Sequence, residues 1–135
     1  MSPYPEIRSV VLDATDPRRL AEFYREMFGL RYRAGDEPPS DGAPDDADWL
    51  VLRGAGVALA FQRVDDLPEP TWPDPGVPQQ LHLDTTVPDL DELERQHTRA
   101  LALGARLLLD RTDDPDEPLH VYADPAGHPF CVFVA

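Results

Sequence analysis

The richest chemistry in the sequence lies in residues 80–93, QLHLDTTVPDLDEL, where His82, Asp84 and Thr86 recur at every second position and so share one face of an extended strand. An imidazole titrates near neutrality, so His82 can act as a general acid or base. Alternatively it contacts a ligand, or is satisfied by Asp84 or a backbone group. Cys131 becomes a nucleophile if His82 ionises its thiol, and otherwise serves as a small buried hydrophobe. Asp13 follows Ser9 on one strand face as Asp84 follows His82; both carboxylates either reach a ligand amine, with Asp84 also orienting His82, or end in water. Gln62 is the amide on a face otherwise made of Ala58, Ala60 and Val64, a face that keeps space for a ligand or is packed by a neighbouring strand. Trp49, Trp72 and Tyr122 offer flat rings for a planar ligand, with Trp49 alternatively a core residue. Phe133 falls on the same strand face as Cys131. His120 and His128 read as surface or turn residues, and His97 sits at the edge of a buried helical stripe.

These side chains need elements to aim them. After Val87, Pro88 and Asp89 fit a turn and an N-cap, and Leu90, Leu93, His97, Ala100 and Leu101 follow at helical spacing. The same pattern occurs upstream, where residues 9–16 precede Leu20, Phe23, Tyr24 and Met27. Asp16 and Asp89 are 73 positions apart, as are Leu20 and Leu93, and Ser9 and His82. The chain therefore reads as an internal duplication. The first half predicts a strand over 7–14 and a helix from Pro17 to about Phe28, with Gly29 as its left-handed C-terminal residue. A strand over 30–34 follows, then an acidic loop over 35–46 that is either mobile or part of a site entrance. Strands over 49–53 and 57–64 form a hairpin across Gly54, Ala55 and Gly56. A Pro-rich linker spans about 65–78. The second half repeats the order with a strand over 80–87, a helix over 90–103, Gly104 as its cap, and strands over 106–110, 120–123 and 129–134. A tight turn at 124–128 delivers the last strand. Eight strands and two helices are expected.

The 135 residues, 41% hydrophobic, suffice for one domain or for two small modules sharing a core. A formal net charge of −14 argues against nucleic acid, whose phosphates need clustered cations. The same field suits a cationic or neutral small ligand, or serves solubility alone. A lone cysteine excludes an internal disulfide. The start MSPYPEIRSV has neither the basic region nor the apolar run of an export signal, and nothing approaches a membrane span; a cytoplasmic location is expected. The sixteen prolines fall mostly in acidic loops.

The paired strand–Asp–helix starts at Asp16 and Asp89, the segment LAEFYREMFGLRY over 20–32 and the closing DPAGHPFCVF over 124–133 together resemble the vicinal oxygen chelate superfamily, which includes glyoxalase I, bleomycin-resistance proteins, methylmalonyl-CoA epimerase and extradiol dioxygenases. The chain is most similar to the glyoxalase-like subset. The resemblance covers nearly all of residues 1–135 and implies a single α+β domain of two tandem βαβββ modules, about 7–64 and about 79–135. Their curled mixed sheets would enclose a shared cavity, often completed in a homodimer. Metal-dependent members place one side chain from the first and one from the last strand of each module on the ion. Carried over, those positions are Ser9, Gln62, His82 and Cys131. Only His82 and, weakly, Gln62 keep the expected chemistry, and a serine hydroxyl is a poor ligand for a divalent ion.

Two readings follow. One is a small-molecule-binding protein without metal or other cofactor, its cationic or aromatic ligand held by Gln62, His82 and aromatic walls. Sequestration by bleomycin-resistance proteins sets the precedent. The other is a lyase, isomerase or dioxygenase that uses zinc, iron, manganese or nickel at His82, or uses His82 and Cys131 directly. A weaker third reading is a regulatory module whose pocket is lost.

Overall fold

The computed structural model describes residues 3–54 and 56–135; Met1, Ser2 and Ala55 of the expected lead-in and hairpin lie outside the described residues. Its backbone contacts divide the chain between Leu67 and Pro68. Each half is a strand, a helix and three further strands.

In the first unit, β1 (Ser9–Ala14) leads into α1 (Pro17–Phe28), followed by β2 (Arg31–Tyr32), β3 (Trp49–Arg53) and β4 (Ala58–Arg63). The helix starts where Asp16 accepts a hydrogen bond from the Arg19 N–H and Pro17 fills the first position, and it ends at Gly29 with φ of 66°. The sheet order is β1-β4-β3-β2, with β1 parallel to β4 and the other pairs antiparallel. Side chains alternate across this sheet. Leu12, Leu50, Leu52 and Phe61 are buried together with Leu20 and Tyr24 of α1, and Tyr24 stacks at 5.8 Å on Phe28 and meets Phe61 at 5.7 Å.

The acidic segment between β2 and β3 is clamped. Arg18 donates from Nε to Asp45 Oδ2 at 2.7 Å and from Nη1 to the Asp36 carbonyl at 2.6 Å, while its guanidinium lies 5.0 Å from the centre of the Tyr32 ring. Asp36 also accepts from the Val51 N–H at 2.9 Å. One helix-borne cation thus gathers a loop whose own charges would otherwise repel.

In the second unit, β5 (Leu83–Val87), α2 (Leu90–Leu103), β6 (Arg106–Arg111), β7 (Leu119–Ala123) and β8 (Pro129–Val134) repeat the plan, with order β5-β8-β7-β6 and β5 parallel to β8. Asp89 and Gly104 cap α2 as Asp16 and Gly29 cap α1. The strand expected from residue 80 begins at Leu83, because its parallel partner opens at Pro129, which has no N–H to extend the ladder. His82 therefore sits just ahead of β5, not within it. The turn into β8 is built on buried Asp124, whose carboxylate accepts from the Ala126 and His128 N–H groups at 2.8 and 3.0 Å. Gly127 has φ of 100°, and a Cβ there would lie 2.5 Å from Glu69 Cγ. Glu69 in turn pairs with Arg106 at 2.8 Å, so the Pro-rich segment after residue 67 is tied to the second unit. No helix among the described residues is long and apolar enough to cross a membrane.

The placements of one histidine and one tyrosine differ from expectation. His120 is not a surface residue but 2% exposed, stacked on His97 at 4.3 Å. Tyr122, expected as a ligand platform, is buried beneath α2, with Oη 2.7 Å from His97 Nδ1 and its ring stacked on Phe130. Period-two alternation locates a face but not which face the helix covers, and here α2 covers the one with His120 and Tyr122. His120 Nδ1 has no partner among the described residues, and Nε2 is 3.8 Å from Asp110 Oδ2. Burial, and then the neighbouring His97, push the His120 pKa down against the weaker pull of Asp110 and Glu94. The folded state thus holds a neutral ring that the unfolded chain protonates below about pH 6.5, so stability is complete above that pH and falls as the pH drops through it. Thermal unfolding followed from pH 7.5 to 5 should show a decline that His120→Phe flattens. An unchanged slope in the variant would remove His120 from this role.

Candidate functional site

The faces turned away from the helices carry the candidate chemistry. On the first sheet the register aligns Ser9 with Ala58, Val11 with Ala60, Asp13 with Gln62, and Gln62 with Trp49. Small residues in the middle of this face leave room that larger ones would fill. A cavity of about 500 Å³ opens there, lined among others by Ser9, Trp49 and Ala58. Trp49 is 41% exposed, so it is a cavity wall and not a core residue. Arg8, Arg33 and Arg53 line the same cavity, and no periodicity argument singled them out. Arg33 pairs with Asp36 at 3.0 Å.

On the second sheet, Asp84 stands beside Cys131, and Thr86 beside Phe133. His82 Nε2 lies 3.4 Å from Asp84 Oδ1, both side chains about half exposed. Donor atoms of His82, Asp84 and Cys131 all fall within 4.8 Å of one another. Thr85 fixes the strand pair by donating from Oγ1 to the Cys131 carbonyl at 2.8 Å. The Cys131 thiol is pushed up to about 12, first by burial and then by its hydrogen bond to Asp84 and the charges of Asp84 and Glu117. A carboxylate beside the sulfur opposes the thiolate that a His82-activated nucleophile would need. Trp72 is half-buried in the Pro-rich segment of the second unit.

The two sheets share one strand order, which allows the duplicated positions to be matched. Cys131 pairs with Asp84, whose counterpart 73 residues earlier is Val11, and Val11 pairs with Ala60. The position assigned to Gln62 therefore belongs to Ala60. Ser9 is level with Ala58, so Gln62 lies four residues further along β4, about 13 Å at strand rise. The hairpin preceding β4 hides this shift from the sequence, because loop length and register trade against each other.

Two tandem βαβββ units, each with a parallel outer pair and a single helix, define the glyoxalase/bleomycin-resistance architecture. A family model described as glyoxalase-like domain matches residues 9–133, and the chain belongs to that family of the vicinal oxygen chelate superfamily. Similar solved structures include a glyoxalase/bleomycin resistance protein/dioxygenase family enzyme from Burkholderia phytofirmans, with TM-score 0.72 and 14% identity over 96% of this chain and 98% of that one. A lactoylglutathione lyase from Agrobacterium tumefaciens gives 0.62 and 20% over 99% and 96%. The fosfomycin resistance protein FosX from Mesorhizobium loti gives 0.68 and 13% over 100% and 94%. No curated protein matches the sequence.

The family implies a divalent cation in some members, and the donors here fit one unevenly. The second sheet offers an imidazole, a carboxylate and a thiol within reach of one ion, a set compatible with zinc. The matched positions of the first sheet offer a hydroxyl and a methyl, from Ser9 and Ala60.

The combined pull of burial and of Asp84 against the Cys131 thiolate has a direct readout. At neutral pH the folded protein should react with iodoacetamide far more slowly than the unfolded chain, and Asp84→Asn should speed alkylation severalfold by removing the adjacent charge. Fast alkylation of the parent protein, or no gain in the variant, would contradict this account.

Proposed function

We propose that this glyoxalase-like protein binds a small molecule on the open face of its first sheet, without a metal. The cavity of about 500 Å³ against Trp49, Ser9 and Ala58 carries this reading. Its size falls within the range of pockets that enclose small ligands. An aromatic side chain left 41% exposed on the wall of such a space supplies a stacking surface at little entropic cost. The first sheet offers no carboxylate at the matched metal positions, Ser9 and Ala60, which supports binding rather than metal chemistry there.

A second reading rests on one observation, the convergence of His82, Asp84 and Cys131 donors within 4.8 Å. A cation held by these three would supply Lewis-acid polarisation of adjacent substrate oxygens, the chemistry of a lyase, isomerase or dioxygenase. His82 and Asp84, half exposed and 3.4 Å apart, would then bind and orient the substrate as well as the ion.

A thermal-shift screen of aromatic small molecules on chelator-treated, untagged protein tests the first reading. Binders at a hundredfold excess over their Kd should stabilise the chain by about 2.7 kcal/mol, and Ala58→Leu, which fills the cavity, should abolish the shift. Retention of near one zinc, iron, manganese or nickel per chain, lost in His82→Ala, together with ligand shifts that require the metal, would transfer the function to the second reading.

A further inference from the structure

We infer that the cavity of the first unit selects an anionic ligand, a flat apolar body bearing a carboxylate or phosphoryl group, in opposition to the protein's overall charge. The inference deepens the metal-free binding reading and rests on it.

All twelve basic residues of the chain are arginines, against twenty-six acidic ones. Three of them, Arg8, Arg33 and Arg53, nevertheless line one cavity, and no Asp or Glu lines it with them. The strand register explains how they gather. Arg53 faces Arg31 across β3 and β2, and Leu52 faces Leu59, so Arg53 comes level with Ala58. Ala58 lies beside Ser9, which follows Arg8 in the chain. Arg33 donates its backbone N–H to the Val51 carbonyl at 2.9 Å, which places it one step along from Arg31 on the same face. Cations from just ahead of β1, just past β2 and the end of β3 thus border a floor of Ser9 and Ala58.

Like charges gathered on one face repel, and five of the nine arginines outside the cavity are paired with carboxylates. Arg18, Arg25, Arg63, Arg95 and Arg106 each have a carboxylate within 4.0 Å. In the cavity, Arg33 has Asp36 at 3.0 Å, but among the described residues Arg8 and Arg53 have no carboxylate at ion-pair distance. Two guanidinium groups are therefore left with unused donor forks, and a fork of this shape matches a planar carboxylate or a phosphoryl group. Trp49 on the same wall presents a ring face to whatever body carries that anion. The surrounding excess of acidic residues opposes an anion at long range, so the arginine contacts act at close quarters, within the screening length.

Trp49 also supplies the probe. The chain has two tryptophans, so Trp72→Phe leaves Trp49 as sole reporter. In that background, fluorescence titrations with benzoate, phenyl phosphate, benzamide and benzylamine compare two anions with a neutral and a cationic ring. Benzoate and phenyl phosphate should quench Trp49 saturably, about tenfold more tightly than benzamide, and lose affinity as salt is raised. Preference between the two anions identifies the acid group. Arg8→Gln and Arg53→Gln, both at exposed positions, should each weaken the anions about tenfold and leave benzamide unchanged, with circular dichroism confirming the fold. Benzamide or benzylamine binding as tightly as the anions, indifferent to both arginine variants, would overturn the anion inference while sparing the binding reading. No quenching by any of the four would overturn both.

Discussion

A single helix can cover only one face of a four-stranded sheet, and the rest of this structure depends on that limit. In each unit the first strand runs parallel to the fourth, so the chain must cross over between them, and the helix that makes the crossing packs on the side where it lands. That side collects the large apolar residues: Leu12, Leu52 and Phe61 under α1, Tyr122, Phe130 and Val132 under α2. The other face is not covered by a helix, although Val51, Ala60 and Val121 on it are still buried. What side chains stand there is then a matter of chemistry more than of core volume.

The duplicated halves have used that freedom differently. The second sheet keeps a histidine, a carboxylate and a thiol close together, with burial first and the carboxylate second raising the thiol's pKa. The first has small residues, an exposed tryptophan and a border of arginines. Overall charge is a poor guide to such a face. A net −14 is spread over loops and helix surfaces, whereas the residues that meet a ligand are the few the register brings level. Arg18 shows how the acidic loop is kept from dominating the region, since its bonds to Asp45 and Asp36 draw that segment onto α1.

The fold was legible because its signals are local. Asp16 and Asp89 before amphipathic stretches, Gly29 and Gly104 behind them, and period-two strands set an order of elements that the structure repeats in both halves. The site was less legible because it depends on non-local choices. Which strand face a helix covers put Tyr122 and His120 in the core, and the register of β4 against β1 replaced Gln62 by Ala60 at the position matching Cys131. Trp49 was readable as an aromatic at a strand start, but its exposure follows from neighbours that are small. The arginines carried no motif at all, and only the strand pairing brings Arg8, Arg33 and Arg53 to one cavity.

The central claim is that the first sheet, not the second, is the ligand-binding face. Its most direct test is a titration of isotope-labelled protein with phenyl phosphate, followed by backbone and indole N–H chemical shifts. The account expects saturable shifts at the Trp49 indole and at Arg33, Val51, Arg53 and Ala58, with the second unit silent. Shifts centred on His82, Asp84 and Cys131, with Trp49 unmoved, would contradict it.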